Sequence, residues 1–336
     1  MSIQCIRVIV VACCLTYSVT AYGVTFIPPV APPDSGYCFI QNYVDVDPEH
    51  GGQDCYTHAR SYEKHKGTDF RVSYDAMLAG VDVLVAANGT VLRTRDGMDD
   101  AFFQDGMVDV EGRECGNGVI IDHGDGWQTQ YCHLKKDSVQ VVQGESVKAG
   151  SVLGQVGLSG KTAFSHVHFQ VICRGEIVCP FSGARLESVE TENATGLQKI
   201  ESGTSLWQNE SNEVLQYVPS QLLKVNYSTS PPRSAREILQ RPNYIETVKA
   251  GRNPFVFSVV TAMLRKGDLL ILRLKTEAGT LLAEKVVSIS SYTAQRVDCI
   301  GRKNSAMYAH MELEGIVELR RGNVQVFEHK SRVSVQ

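Results

Sequence analysis

The sequence predicts an all-β protein, a β-sheet domain followed by a smaller β-sandwich-like domain. Three observations carry that expectation. Short β-prone runs recur along the chain, separated by Gly, Asn and Asp turns. No stretch sustains an apolar period of a long helix. Val83-Leu84-Val85-Ala86-Ala87-Asn88-Gly89-Thr90-Val91 reads as two strands joined by an Asn-Gly turn. The 336 residues suffice for two domains at roughly 100–200 residues each.

Residues 1–21 read as a secretory signal peptide: Arg7, an apolar run from Val8 to Leu15, and small residues at Val19-Thr20-Ala21. The run is shorter than the roughly 20 residues a membrane-spanning helix needs, and no other segment is apolar enough. Val10-Val11-Ala12-Cys13 offers a second reading, a lipoprotein cleavage box with Cys13 as anchor. Residues 22–60, with Pro28, Pro29, Pro32 and Pro33, read as an extended N-terminal arm. Residues 61–185 form the main β domain, with runs at 67–72, 82–87, 89–93, 118–122, 129–134 and 165–172. Within it, 96–114 carries seven acids against one base, Arg113, with Phe102, Phe103 and Met107 among them. Two readings stand for that segment, a hydrated loop or a lid on a cleft. Residues 186–213 are polar and read as a linker. Residues 214–336 show further short runs, the pattern of a small β-sandwich without a catalytic motif.

Hydrophobic content of 43% and charged content of 21% fit a globular chain rather than a disordered one. A net charge of −4 argues against nucleic acid as a partner, since a phosphate backbone calls for a basic stripe. Ten cysteines, seven of them beyond residue 21 and none in a Cys-x-x-Cys pair, suit disulfides in an exported protein rather than a thiolate metal site. Cys38–Cys55, Cys115–Cys132 and Cys173–Cys179 are the pairings considered, with Cys299 left over; sequence does not decide the connectivity.

The chemistry gathers at three places. In Ser165-His166-Val167-His168-Phe169 the two histidines share a strand face, which suits a metal ion, or one ligand beside one acid/base group. In His65-Lys66-Gly67-Thr68-Asp69-Phe70 an extended chain puts residues 65, 67 and 69 on one face, and Gly67 leaves room for an ion between His65 and Asp69. Taken singly, each pattern is as well explained by a polar strand edge or a surface ion pair. Two histidines and a carboxylate together make the three-ligand set of catalytic zinc sites, which keep a fourth position for water. His133 lies between them in Thr129-Gln130-Tyr131-Cys132-His133-Leu134.

These residues, His-x-x-x-Asp, then Tyr-x-His-Leu, then His-x-His, resemble the zinc peptidases of the lysostaphin/LytM type, family M23. The runs Gly116–Gly126 and Val147–Gly157 resemble its glycine-punctuated turns, so the likeness covers about residues 64–181. It implies a LytM-type β-sheet catalytic domain with one Zn2+ per chain on His65, Asp69 and His168, and with His133 and His166 as acid/base groups. It implies peptidoglycan peptide stems as substrate and endopeptidase activity, of the D,D type in a periplasm. Two other readings belong beside it: a non-catalytic member acting as a cell-wall binding or amidase-activator module, and a structural envelope protein. His123, in a family-like turn, is assigned hydrogen bonding at a strand end. Export to the periplasm or beyond is the expected location.

Overall fold

The computed structural model describes residues 23–47, 52–56, 58–103, 110–191, 194–199, 204–241 and 247–336. The expected signal segment with Cys13, and Met107 of the acidic insertion, lie outside the described residues. The strands are β1 (Cys38–Asn42), β2 (Thr68–Val72), β3 (Asp82–Leu84), β4 (Gly89–Arg95), β5 (Asn117–Gly124), β6 (Trp127–Leu134), β7 (Ser146–Val147), β8 (Val152–Gln155), β9 (His166–Cys173), β10 (Glu176–Val178), β11 (Arg185–Thr191) and β12 (Ala194–Lys199). Then come β13 (Gln221–Ser228), β14 (Thr247–Val248), β15 (Phe255–Leu264), β16 (Asp268–Thr276), β17 (Leu281–Ser288), β18 (Thr293–Arg302), β19 (Glu312–Arg321) and β20 (Val324–Val335). The chain is all-β in architecture, as expected. A short helix, α1 (Tyr74–Ala79), interrupts the first half; the Ser73 hydroxyl caps it by accepting from the Ala76 N–H.

The first sheet runs β12-β11-β10-β9-β6-β5-β4-β7, with β2 also on β9 and β1 on β2. β9 is its axis. β6 lies along one edge, while β2 and β10 share the other edge end to end. Val167, Phe169 and Val171 alternate inward from β9 and are fully buried. They join Phe70 and Val72 of β2 and Tyr131 of β6 in one core.

Residues 22–60 are more than an arm. Proline keeps the flanks extended, but Phe26, Val30, Ile40 and Tyr43 are apolar anchors buried in that core. Phe26 donates its N–H to the Leu206 carbonyl at 2.8 Å. Its ring meets His123, Trp127, Phe169 and Trp207 edge-on at centroid distances of 5.8–6.5 Å. The stretch expected as a linker likewise contains a hairpin, β11 with β12, closed at Thr191 and Ala194. Its polar composition is followed at once by Leu206 and Trp207, which return to the core.

The second half stacks the sheet β13-β15-β18 on the sheet β14-β20-β19-β16-β17. β15 is buried at every position because both its faces are covered. Phe255, Phe257 and Val259 enter the sandwich core. Val260 and Ala262, on the opposite face, pack with Leu223, Ile238, Leu239 and with Phe39 of β1. Ahead of β19 a 3-10 turn occupies Ser305–Tyr308, and the strand begins at Glu312. No helix among the described residues is long and apolar enough to cross a membrane.

Phe26→Ala should therefore destabilise the first half by about 3–5 kcal/mol, the cost of an aromatic cavity. Urea unfolding followed by Trp fluorescence checks this. A loss under about 1 kcal/mol would mean the anchor is dispensable.

Candidate metal centre

Strand register builds the site. β2 and β9 are antiparallel with Asp69 opposite His168 and Arg71 opposite His166. Directly opposed side chains leave a sheet on the same face, so Asp69, His166 and His168 emerge together. Asp69 Oδ1 lies 2.9 Å from His168 Nδ1 and 3.4 Å from His166 Nε2. His65 arrives differently from the extended reading. β2 begins only at Thr68, and Lys64 turns the chain in the left-handed region with φ 65°. That turn brings His65 Nε2 to 3.1 Å from Asp69 Oδ1 and 3.2 Å from His168 Nδ1.

Gly67 is required, but not for the room first inferred. A Cβ there would stand 2.5 Å from His168 Nε2 and 2.8 Å from the Phe169 carbonyl oxygen. The space it leaves holds the His168 ring.

His133 is brought in by a break in alternation. β6 pairs Tyr131 with Phe169 and Cys132 with His168, so a regular strand would send residue 133 toward the core side with Tyr131. His133 instead has φ 65°, rare for a residue with a side chain. Its ring then lies 4.7 Å from that of His166 and 6.1 Å from that of His168. The disulfide Cys115–Cys132 and the bond from the His133 N–H to the Cys115 carbonyl, at 2.8 Å, hold this corner.

Outer partners orient the rings. Nδ1 of His65 lies 2.7 Å from the Tyr43 carbonyl, Nδ1 of His133 2.8 Å from that of Ser159, and Nδ1 of His166 2.8 Å from that of Phe164. A carbonyl only accepts, so each Nδ1 carries its proton and each Nε2 is left to the site. Asn42 Nδ2 donates to Asp69 Oδ2 at 2.7 Å. Asn42, Tyr43, Ser159 and Phe164 were not legible in the sequence, since three of them lie far in sequence from the group they touch and three act through backbone oxygen.

The result is a cluster of acceptors facing one another. The lone pair of His65 Nε2 points at a carboxylate oxygen and at a second imidazole nitrogen. A cation, a further proton or, in part, an Nδ1–H on His168 relieves that arrangement. Although burial opposes it, the charge and hydrogen bond of Asp69 raise the pKa of His65. Burial also works against ionised Asp69, yet the charges of His65 and His166 and the hydrogen bonds of His166 and His168 hold its carboxyl well below the usual range. Burial depresses His168, against the pull of Asp69. Burial, then His166 and His168, push His133 well below an ordinary histidine. The ligand atoms of His65, Asp69 and His168 stand 2.9–3.2 Å apart. That approaches the edge of roughly 3.3 Å of a tetrahedron with metal–ligand distances of about 2.0–2.1 Å. The donor set fits a metal such as zinc.

Above it lies a cleft of about 270 Å3 lined by Tyr62, Lys64, Lys66, Glu114, Gln130, Lys161 and Gln170 besides the histidines. Of the acids at 96–103, Asp99 pairs with the Lys136 ammonium at 2.7 Å, while Asp96 and Asp100 turn to backbone. Asp96 accepts from Asp137 and Val139 N–H at 2.9 and 3.0 Å, and Asp100 from Lys136 and Leu158 N–H at 3.0 and 2.6 Å. Phe102 stacks on Tyr74. His123 binds the Asn88 carbonyl and the Thr129 hydroxyl, both at 2.8 Å, the strand-end role assigned to it.

Gly67→Ala should displace the His168 ring and cut affinity for a divalent metal by about 10-fold or more, with the fold kept. Zinc titration with circular dichroism as control measures this; unchanged affinity would show that the ring has another place to sit.

Residues 63–180 match the sequence profile described as Peptidase family M23. Peptidoglycan DD-endopeptidase ShyA of Vibrio cholerae serotype O1 is 32% identical over 114 residues, 34% of this chain and 21% of that protein. The DD-carboxypeptidase/endopeptidase Mpg of Neisseria meningitidis serogroup B is 38% identical over 82 residues, 24% of this chain and 18% of its own. The chain thus spans about a fifth of the length of these relatives. Among solved structures, a zinc containing peptidase from Vibrio cholerae aligns with 43% of this chain and 39% of that chain, at 26% identity and a TM-score of 0.27. The matched span begins just before His65 and ends just after β10, so it takes in all five clustered residues, and residues 63–180 are a domain of peptidase family M23.

Proposed function

We propose that the chain is a zinc-dependent endopeptidase, one ion per chain, that hydrolyses peptide cross-links of peptidoglycan as a D,D-endopeptidase. The observation that carries this reading is the convergence of acceptors on one point, with two further imidazoles beside it. His65, Asp69 and His168 hold the metal. Zinc, when bound, supplies Lewis acidity, bringing a water toward a pKa of about 7 and polarising the scissile carbonyl. His133, kept neutral by burial, presents Nε2 to take the proton of the attacking water. A proton carried on His166 Nε2 steadies the developing charge and passes to the leaving amine, and the proton taken by His133 replaces it. The Tyr43 carbonyl and Asn42 amide fix the rings and carboxylate from behind, so little reorganisation is left for the reaction itself.

The substrate class is supported by relatives named as DD-endopeptidases and by the three lysines of the cleft, which suit free carboxylates on a D-alanyl–diaminopimelate stem. The Cys115–Cys132 disulfide supports an exported, periplasmic or secreted, site of action. We place catalysis within residues 61–185 and treat 214–336 as a second domain that borders it.

Purified protein on isolated sacculi should release peptide fragments cut at the cross-link, and a chelator should stop it. His168→Ala should lose metal and activity together. His133→Ala and His166→Ala should each keep metal and lose about 100-fold or more in rate. Full metal occupancy in His168→Ala would sink the ligand assignment; metal loss in either of the other two would reverse the division of roles. Intact sacculi with the metal in place would reject the substrate class.

A further inference from the structure

Two of the cysteine pairings considered from sequence do not occur. Cys38 sits in β1 opposite Val72, and burial alone pushes its thiol up to about 12. Cys173 and Cys179 are on facing arms of the β9–β10 hairpin, but the register sets Cys173 opposite Glu176. Cys179 is then three residues farther along, roughly 10 Å at strand rise, beyond the ~7 Å that a disulfide spans between Cα atoms. The structure instead brings Cys179 and Cys55 to one place. Both belong to one apolar cluster with Val44, Val46 and Ile177.

The two backbones that carry them are held in place. Cys179 donates its N–H to the Ala184 carbonyl at 2.9 Å and accepts from the Gly183 N–H at 2.8 Å. Beside Cys55, the Asp54 carboxylate accepts from the Tyr56 and His58 N–H groups at 2.9 and 2.8 Å. The neighbouring rings Tyr56 and Phe181 meet at 6.1 Å, and both touch Tyr43. The contact with the Cys55 thiol, outweighing burial and helped by Ser182, holds the Cys179 thiol below its usual range. The contact with Cys179 and burial raise the Cys55 thiol, so Cys179 is the readily ionised thiol suited to resolve a mixed disulfide, and Cys55 meets the oxidant first by exposure alone.

We propose that Cys55 and Cys179 form a second disulfide, which fastens the loop behind His65 to the end of β10. Cys55 is the partly exposed thiol and Cys179 the buried one. Cys55 attacks an external disulfide, such as oxidised glutathione, losing its proton and releasing one donor thiol. The Cys179 thiolate then attacks the Cys55 sulfur and releases the second. The two protein thiols give up two electrons and two protons, and the donor leaves as two thiols. The fastened loop is the one whose Asp45 accepts from the Lys64 N–H at 2.9 Å and donates its own N–H to the His65 carbonyl at 2.8 Å. The bond therefore braces one proposed ligand against β10, the hairpin partner of the strand that carries another, His168.

The test is made on the full chain after oxidation with oxidised glutathione. Free thiols are alkylated under denaturing, non-reducing conditions and the digest is mapped by mass spectrometry. A peptide joining Cys55 to Cys179, two hydrogens lighter than its parts and split by reduction, is expected. Alkylation of both residues, or Cys55 joined to any other cysteine, overturns the proposal. In Cys55→Ser, Cys179 should become alkylated and the melting midpoint should fall by roughly 5 °C or more, the effect of losing a long-loop cross-link. A midpoint equal to that of the oxidised parent would overturn the fastening.

Discussion

The register of β2 on β9 is the constraint on which the site depends. It sets Asp69 opposite His168. Shifting it by one residue would turn Asp69 and Arg71 to the core and Phe70 to the cleft. The register is secured from behind, where Phe70, Val167 and Phe169 are fully buried in one core. Apolar packing on one face therefore fixes polar geometry on the other. The carboxylate so placed is buried and meets three imidazoles, which would be costly without a charge between them.

Around that pair, backbone does much of the positioning. Left-handed conformations at Lys64 and His133 bend two histidines toward the centre from opposite sides. Three carbonyls, of Tyr43, Ser159 and Phe164, choose the tautomers. Such partners have no side-chain identity to read. Asp96 and Asp100 show the converse: residues that look like surface charge serve as acceptors for N–H groups of the chain at 136–139 and at 158. These bonds frame the turn that supplies the Ser159 carbonyl to His133.

The two halves of the chain meet through β1. Its Ile40 belongs to the first core and its Phe39 to the cluster under β15. Arg71 of β2 reaches Gln295 of β18 at 2.7 Å, and Lys224 of β13 reaches Asp75 at 3.3 Å. The polar composition of 186–213 suggests a loose connection, yet these contacts and the return of Leu206 and Trp207 to the first core bind the second half closely to the first. Composition averaged over a window misses such anchors, because a few buried residues outweigh many exposed ones.

The sequence by itself determined the all-β class and the shared face of His166 and His168, because a two-residue period is a local property of any strand. It also contained the five polar residues as spaced motifs, but the two strands read as joined at Asn88-Gly89 do not pair: β3 lies on β8, and β4 on β5 and β7. What only the tertiary structure decided is everything that joins residues distant in the chain. The approach of His65 depends on a turn at Lys64, and the facing of His133 on a broken alternation that periodicity predicts the wrong way. Asn42 reaches Asp69 only because β1 adds to the sheet edge. Cys55 lies beside Cys179, rather than either cysteine beside its nearer neighbour in sequence, because strand register sets which residues meet. Local patterns fix which way a side chain points from its own strand; only packing fixes what it points at.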